Sequence, residues 1–463
     1  MSIVSANEFG SSSVTEKSVL IALELFFKNP SYGTPDCISR DGCLALAKQS
    51  NQKSEEFGGR HVLWNSWRRL YPVLNKQNIA DFRNIDFSRH EEINFSSFDF
   101  GDYANFCNTI FGREANFTHA NFGKVANFNN SLFLDLGLFV FAKFGCDANF
   151  IGMQSLGRMR FEFSEFGDCA HFQSAQFGDW CFFDDAKFEG SVDFSGREWT
   201  YLRPLYGQKY DLRKKLAEEN GVSPLCFNSV SFRRARFKGV TNFENRHFKG
   251  VSDFSQTYFV WCPKFHGSSL YQDTYFDNCI FSDVKGLSSQ ARAYRTLKYA
   301  FAKTQATREE QRFFRLEMLE ETKIASKKEQ NSDFNFLPSW YYKSYGLISD
   351  YGFSTWKPFF WLIVLPLIIV LFVALLFLLS NGWNLSIQFK IIDWISTRIF
   401  FTSVLNGSFP LLGDSKIEFQ DLIKLYGNFG AMTILVLGQL QKIFALIAYF
   451  LIGLALRNHF RMK

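Results

Sequence analysis

The sequence predicts a mainly β fold, a solenoid of stacked coils, followed by a helical unit that lies in a membrane. Three observations predict it. Phenylalanine recurs at a fixed period, small residues recur two positions before it, and the last third of the chain holds long uncharged apolar runs.

The phenylalanine clock starts at Phe95 and continues through Phe100, Phe106, Phe111, Phe117, Phe122 and Phe128 to Phe150. Its steps alternate between five and six, so the true period is eleven. After a blank near Leu156, which keeps the phase with a smaller side chain, it resumes at Phe161 and runs to Phe194, with Trp199 in phase. A third run goes from Phe232 to Phe281, with Leu270 keeping the phase. A fixed period of this length marks a repeat architecture. Neither a helix of 3.6 residues per turn nor a strand of period two puts these rings on one face. A chain that turns a corner every five or six residues does, and each short side sends one ring inward. Four sides make a coil of about 22 residues, and stacked coils pair their backbones at about 4.8 Å. About seven such coils are expected between Phe95 and Phe281.

The other residues of the repeat fit the same geometry. Ala104, Ala115, Ala120, Ala126, Ala148, Ala170, Ala175, Ala186 and Ala235 supply a second, smaller inward position. Asn105, Asn116, Asn127, Asp193 and Asn242 stand between the small residue and the ring, and such side chains bond nearby backbone and favour turns. Gly112, Gly123, Gly145, Gly167 and Gly178 follow rings and suit a tight corner.

The runs Ala104-Asn105-Phe106, Ala115-Asn116-Phe117, Ala120-Asn121-Phe122 and Ala126-Asn127-Phe128 resemble the pentapeptide-repeat family, whose unit is Ala-Asp/Asn-Leu/Phe-X-X. The strict period of eleven is similar to the Phe-centred branch of that family. The resemblance covers residues 81–283 and implies a right-handed quadrilateral β-helix. It says almost nothing about activity. Residues 200–226 depart from the pattern. There Tyr210–Glu219 reads as a short charged helix ended by Asn220-Gly221 and projecting from one coil, either as a loop insertion or as a binding element.

A solenoid end exposes its ladder and its unpaired strand edge, so it needs a cap. Residues 1–80 are expected to form a helical N-terminal cap region, with helices over 14–28, 41–51 and Trp64 to Leu70. The string Trp64-Asn65-Ser66-Trp67-Arg68-Arg69 resembles the segment that precedes the first coil in pentapeptide-repeat proteins. Trp64 and Trp67 are therefore expected to lay their indoles on the first rings. At the other end, a charged helical linker over 284–350 carries Tyr294, Leu297 and Phe301 at helical spacing. That stripe either packs on the last coil near Phe281 or forms a coiled coil between subunits.

Residues 351–463 read as a transmembrane helical hairpin. Phe359 to Leu379 carries no charge across 21 residues, about the length that crosses a hydrocarbon core. Trp356 and Trp361 at one end and Trp383 at the other form interfacial belts. A second span is expected over about 430–456, although Gln439, Gln441 and Lys442 fall within it. Polar residues at bilayer depth are costly and face protein or water, so this helix is expected to turn its Gln/Lys face to a partner helix. Arg457, Arg461 and Lys463 follow the span and place that end in the cytoplasm. Two spans then place the N-terminal part there too, in keeping with scattered cysteines and the absence of a secretory signal around Val19–Phe27. The expected location is the inner (cytoplasmic) membrane, multi-pass, with both termini cytoplasmic and lipid as a partner. Between the spans, an amphipathic stretch Ile391–Leu405 leads into a loop with Asn406, Gly407, Pro410, Gly413 and Asp414. It is either an interfacial helix with an outer loop or a re-entrant segment about 391–414. A potassium filter is absent, and Asp414 alone would supply acidic charge. The strings Ser349-Asp350-Tyr351-Gly352 and Leu454-Ala455-Leu456-Arg457-Asn458 resemble the ends of the membrane unit in membrane-bound pentapeptide-repeat proteins.

The nine cysteines form neither CxxC nor a zinc spacing, and the seven histidines are dispersed. There is no phosphate loop, no Gly-x-Ser-x-Gly and no His-Glu-x-x-His. No catalytic, cofactor or metal residue is therefore assigned, and an enzyme is not expected. Soluble pentapeptide-repeat proteins that mimic DNA use an acidic surface. Here residues 95–199 hold 14 acidic against 7 basic side chains and residues 200–281 hold 7 against 12, so the opposite charges nearly cancel and a nucleic-acid role is not expected. Two functional classes remain. One is a membrane-anchored cytoplasmic scaffold presenting a rigid surface to an unidentified protein partner. The other is a homo-oligomeric, ion-channel-like or membrane-effector protein.

Overall fold

The computed structural model describes residues 14–74, 77–89, 93–281, 287–303, 306–330, 339–381 and 419–461. The chain forms two compact units, Met1–Ala306 and Thr307–Lys463.

The first unit is a parallel β-solenoid. Successive rungs pair in register: Phe122 with Phe144, Asn127 with Asn149, Phe133 with Ser155 and Leu138 with Arg160. The chain thus visits four parallel sheets in a fixed order and returns to the first after 22 residues. Two of these sheets have eight strands, one has four and one has three, and none closes on itself.

The rings form four columns. Phe100 lies on Phe122 at 4.9 Å, Phe106 on Phe128 at 4.8 Å, Phe111 on Phe133 at 4.6 Å and Phe117 on Phe139 at 4.9 Å. These spacings match the separation of paired strands, so the backbone ladder sets the stacking distance. Neighbouring columns meet edge-on, as in Phe106 against Phe117 at 5.4 Å and 83°. Both arrangements suit the aromatic quadrupole. The small inward residues are buried beside them: Ala104, Ala115, Ala148, Ala170 and Ala186 are all closed off from solvent.

Corners come in two kinds. On two faces the residue two past the ring is left-handed: Ser97, Asn108, His119, Asn130, Phe141, Phe163 and Ser174 have φ between 54° and 60°. The Asn or Asp just before the ring accepts the backbone N–H of that corner, as Asn116 Oδ1 does from Thr118 at 3.0 Å and Asp193 Oδ1 from Ser195 at 2.8 Å. On the other faces glycine follows the ring. Gly123, Gly145 and Gly167 stack on one another, and none has positive φ. A Cβ at Gly145 would lie 2.7 Å from the Gly123 carbonyl oxygen, and one at Gly167 would lie 2.5 Å from that of Gly145. These glycines serve close approach between coils rather than a left-handed corner.

The clock differs from its sequence reading at four places. It begins before Phe95: Phe82 stacks on Phe106 at 4.9 Å and Phe87 on Phe111 at 5.6 Å. Their offset is two residues longer than the period, which hid them, and the columns gain an eighth level. The blank slot belongs to Ser155, which pairs with Phe133 and is fully buried, whereas Leu156 is partly exposed. Trp199 leaves the ladder, and Phe227 takes the place on Phe177 at 5.2 Å. Finally, residues 200–226 do not project. They form helices α5 (Trp199–Tyr206) and α6 (Tyr210–Glu219), which lie against the coils and bury Leu202, Tyr206, Arg213 and Ala217. Tyr206 Oη donates to the Gly152 carbonyl at 2.6 Å and accepts from Gln176 Nε2 at 2.8 Å. Gln154 Nε2, beside the ringless Ser155, donates to the Arg213 carbonyl at 3.1 Å. The excursion docks where the ladder is interrupted.

The N-terminal region holds α1 (Val14–Phe26), α2 (Arg40–Gln52), α3 (Ser54–Phe57) and α4 (Val62–Leu70), with a two-stranded antiparallel hairpin before α2. After the last coil comes α7 (Leu287–Lys303). The described residues of the second unit form α8 (Thr307–Gln330), α9 (Ser339–Ser349), α10 (Trp356–Asn381) and the 43-residue α11 (Phe419–Arg461).

Candidate functional site

The first solenoid end is closed by α4. Trp64 is fully buried against Phe82, Phe98 and Phe100, with centroids 5.5 to 5.9 Å away. Its Nε1 donates to the Asp99 carbonyl at 2.8 Å. Trp67 is also buried but does not reach the rings. It packs edge-on to Trp64 at 5.1 Å and donates to the Pro35 carbonyl at 3.0 Å. The cap is therefore one indole on the ladder and one behind it.

Two asparagine amides finish the edge. Asn65 donates to the Ser97 carbonyl at 2.9 Å and accepts the Asp99 N–H at 2.7 Å. Asn51 treats Asn94 in the same way, at 3.1 and 3.0 Å. Each amide stands in for a missing strand and removes the liability of an unpaired edge. Arg68 lies over Trp67 at 4.4 Å and donates to the Asn78 carbonyl at 2.7 Å, and burial pushes its pKa down to about 10. An open cavity of about 760 Å³ adjoins the cap, lined among others by His61, Asn65, Arg68, Asp99 and Asp102. Sequence reading missed the asparagines because an amide that pairs an edge has no periodic signature. At the far end, Phe301 of α7 meets Phe276 edge-on at 5.7 Å and Tyr294 meets Phe281 at 5.5 Å.

In the second unit a turn links α9 to α10. Asp350, Tyr351 and Gly352 all have positive φ, at 52°, 57° and 85°. Consecutive left-handed residues are costly unless the surroundings over-determine them, and here they do. Asp350 pairs with Arg315 of α8 at 2.9 Å and with Lys357 of α10 at 3.8 Å. The buried Tyr351 hydroxyl bonds Thr322 at 3.0 Å. A Cβ on Gly352 would lie 3.2 Å from the Leu454 side chain of α11. The string Ser349-Asp350-Tyr351-Gly352 is thus the knot that ties four helices.

Helices α10 and α11 pack through Leu362, Ala445 and Ala448. Among the described residues Leu435–Arg457 is long and apolar enough to cross a membrane, and the part Trp356–Ile369 of α10 is an apolar stretch of shorter length. Leu435–Arg457 is the segment that carries Gln439, Gln441 and Lys442. Those residues do not share a face. Gln441 is buried, in line with Ala445 and Ala448, whereas Gln439 is exposed and Lys442 half-buried. Residues two apart point roughly 160° from each other on a helix, so no single Gln/Lys face exists. Asn406, Gly407, Pro410, Gly413 and Asp414, and the whole stretch 391–414, lie outside the described residues.

The cysteines act as small core groups where they are buried. Cys181 pairs in register between Met159 and Val230. Burial pushes the Cys43 thiol up to about 12 and raises that of Cys181 as well, which makes both poor nucleophiles.

The fold and the helices together define a parallel β-solenoid joined in one chain to a helical unit with an apolar helix of membrane-spanning length. No protein-family model matches the chain, and neither does any curated protein or any solved structure.

Proposed function

We propose that this protein is a membrane-anchored cytoplasmic scaffold of the pentapeptide-repeat type, whose rigid solenoid presents its outer surface to a protein partner. The observation that carries this reading is the distribution of apolar surface. The solenoid spends its ladder rings on its interior, while Phe359, Phe360, Ile363, Leu371, Leu440, Ile443, Leu446 and Phe450 stand exposed on α10 and α11. A patch of that extent in a monomer marks contact with lipid or protein. On this reading α10 and α11 are the two spans, over about 359–380 and 430–456, in the inner (cytoplasmic) membrane with both termini cytoplasmic. The solenoid is then a right-handed pentapeptide-repeat helix, and the protein acts without catalysis, cofactor or nucleic acid. Carbonate extraction of membranes tests it, combined with protease treatment of intact and opened cells. Retention of the full chain, with a terminal tag cleaved only after opening, is the expected result. Recovery in the carbonate supernatant overturns the reading.

A second reading, a homo-oligomeric channel or membrane effector, rests on Gln441. Its Nε2 is buried and makes no hydrogen bond among the described residues, and a buried amide without a partner is costly in a core. Light scattering on the detergent-solubilised protein, then ion flux from liposomes, separates the two readings. Flux that is lost in Gln439→Leu or Lys442→Leu sinks the pure scaffold. A strict monomer without conductance sinks the channel.

A further inference from the structure

We infer that the outer face of the solenoid carries a divalent transition-metal site formed by Asp147, Cys169 and His171. The three residues come from two successive coils. Strand Ala148–Asn149 pairs with strand Cys169–His171, with Ala148 opposite Ala170 and Asn149 opposite His171. The 22-residue period therefore sets Asp147 directly over Cys169. Cys169 and His171 stand two apart on one strand, so both point outward while the intervening Ala170 is buried in the core.

The donor atoms converge. One ligand atom from each residue lies within 4.8 Å of the other two, and His171 Nε2 is 3.9 Å from Asp147 Oδ1. Bond lengths of about 2.0–2.3 Å put tetrahedral donors roughly 3.3–3.8 Å apart, so rotation of side chains alone closes the site. The backbone beneath does not have to move. Asp147 is held at φ 59°, and Cys169 and His171 sit on a strand paired on both sides.

The surroundings suit a cation. Asp168 adjoins Cys169 and accepts from the Cys146 thiol at 3.0 Å. Residues 95–199 carry twice as many acidic as basic side chains, which draws cations to this part of the surface. Gln173 Nε2 donates to Asp193 at 3.0 Å and lies 3.4 Å from His171 Nδ1. With the imidazole ligating through Nε2, its Nδ1–H needs an acceptor, which this amide supplies once turned so that Oε1 faces the ring. A thiolate, an imidazole and a carboxylate are the donors of Zn²⁺ or Co²⁺ rather than of Mg²⁺ or Ca²⁺. Three protein ligands leave one position for water. Bound there, the ion would staple two coils through their side chains.

Cobalt titration of the full chain in detergent, kept reduced by a phosphine, tests this. One equivalent of Co²⁺ should bind with a thiolate-to-cobalt charge-transfer absorption that Zn²⁺ displaces. Cys169→Ser should abolish that absorption and His171→Ala should weaken binding, while Cys146→Ser keeps both. Asp147→Asn, at an exposed carboxylate, provides a variant that does not disturb packing and should weaken Co²⁺ binding. Absorption that survives Cys169→Ser, or that is lost in Cys146→Ser, overturns the assignment. So does the absence of saturable binding in the unmodified chain, or unchanged affinity in Asp147→Asn.

Discussion

Phe183 lies flat on Phe232, their centroids 5.1 Å apart and their planes within 8°, although 49 residues separate them in the chain. The same offset joins Asp185 to Arg234 and Glu189 to Lys238. With a period of 22, some 27 residues leave the ladder at this point and return without disturbing its pitch. Ring stacking and strand pairing hold the register, and chain continuity is not needed. Loop-closure entropy grows only slowly with length, so an excursion of this size is cheap.

The excursion is held by Tyr206. Tyr206→Phe deletes the hydroxyl that joins the Gly152 carbonyl and the Gln176 amide. Leaving those buried groups unpaired should cost about 1–3 kcal/mol. The denaturation midpoint of the purified chain reads this directly, and an unchanged midpoint would mean that α5 does not dock.

Phe172 sits mid-column, stacked on Phe150 at 4.8 Å and on Phe194 at 4.9 Å, with no exposed surface. Phe172→Ala should lower stability by about 3–5 kcal/mol. Phe163 is 45% exposed at a left-handed corner, so Phe163→Ala should change stability by less than about 1 kcal/mol. Equal effects from the two variants would contradict the inward assignment of the clock.

The glycine stack makes a different demand. In Gly167→Ala the new methyl would meet the Gly145 carbonyl oxygen at 2.5 Å, and that atom belongs to backbone that cannot swing aside. A loss of about 1–3 kcal/mol is expected from such overpacking. A neutral Gly167→Ala variant, measured by thermal unfolding, would show that the coils can separate locally.

Alkaline pH probes the cap. Burial raises the Cys43 thiol from 9.0 to about 12, so the folded state keeps a proton that the unfolded chain gives up. The contribution is complete below pH 9 and is lost as pH rises towards 12. Arg68, lowered to about 10 by burial, acts in the opposite sense above that value. Between those two onsets, Cys43→Ala should flatten the decline of the N-terminal unit's denaturation midpoint with pH. An identical slope in the variant would mean that the thiol is accessible in the folded protein.

Much of the solenoid is legible in the chain because each large ring must be buried once per side, and burial is a local demand that repeats. Phe117, Phe122, Phe128 and Phe133 declare their columns by spacing alone. Ser155 does not, because a polar residue in a ring slot is indistinguishable from a loop residue until the strand beside it is seen. Phe82 and Phe87 escape for a related reason, since the first coil is two residues longer than the rest. Trp199 shows the converse, an aromatic in phase that the chain carries away into α5. Asp147, Cys169 and His171 are separated by 22 and 2, a spacing that matches no metal motif, and only stacking of coils makes them neighbours.

The membrane unit divides along the same line. Apolar length marks α10 and α11 from composition. Which way Gln439 and Gln441 point depends on the helix that packs against them: Gln441 is buried on the side of α11 that carries Ala445 and Ala448, the residues packed with Leu362 of α10.

The sequence by itself determined the repeat, its period, the inward rings and the apolar helices, because these follow from where large apolar side chains must go. Only the tertiary structure decided how the ends are sealed, where the excursion docks and which polar side chains meet across coils. Those outcomes depend on contacts between residues tens of positions apart, and no local period encodes them.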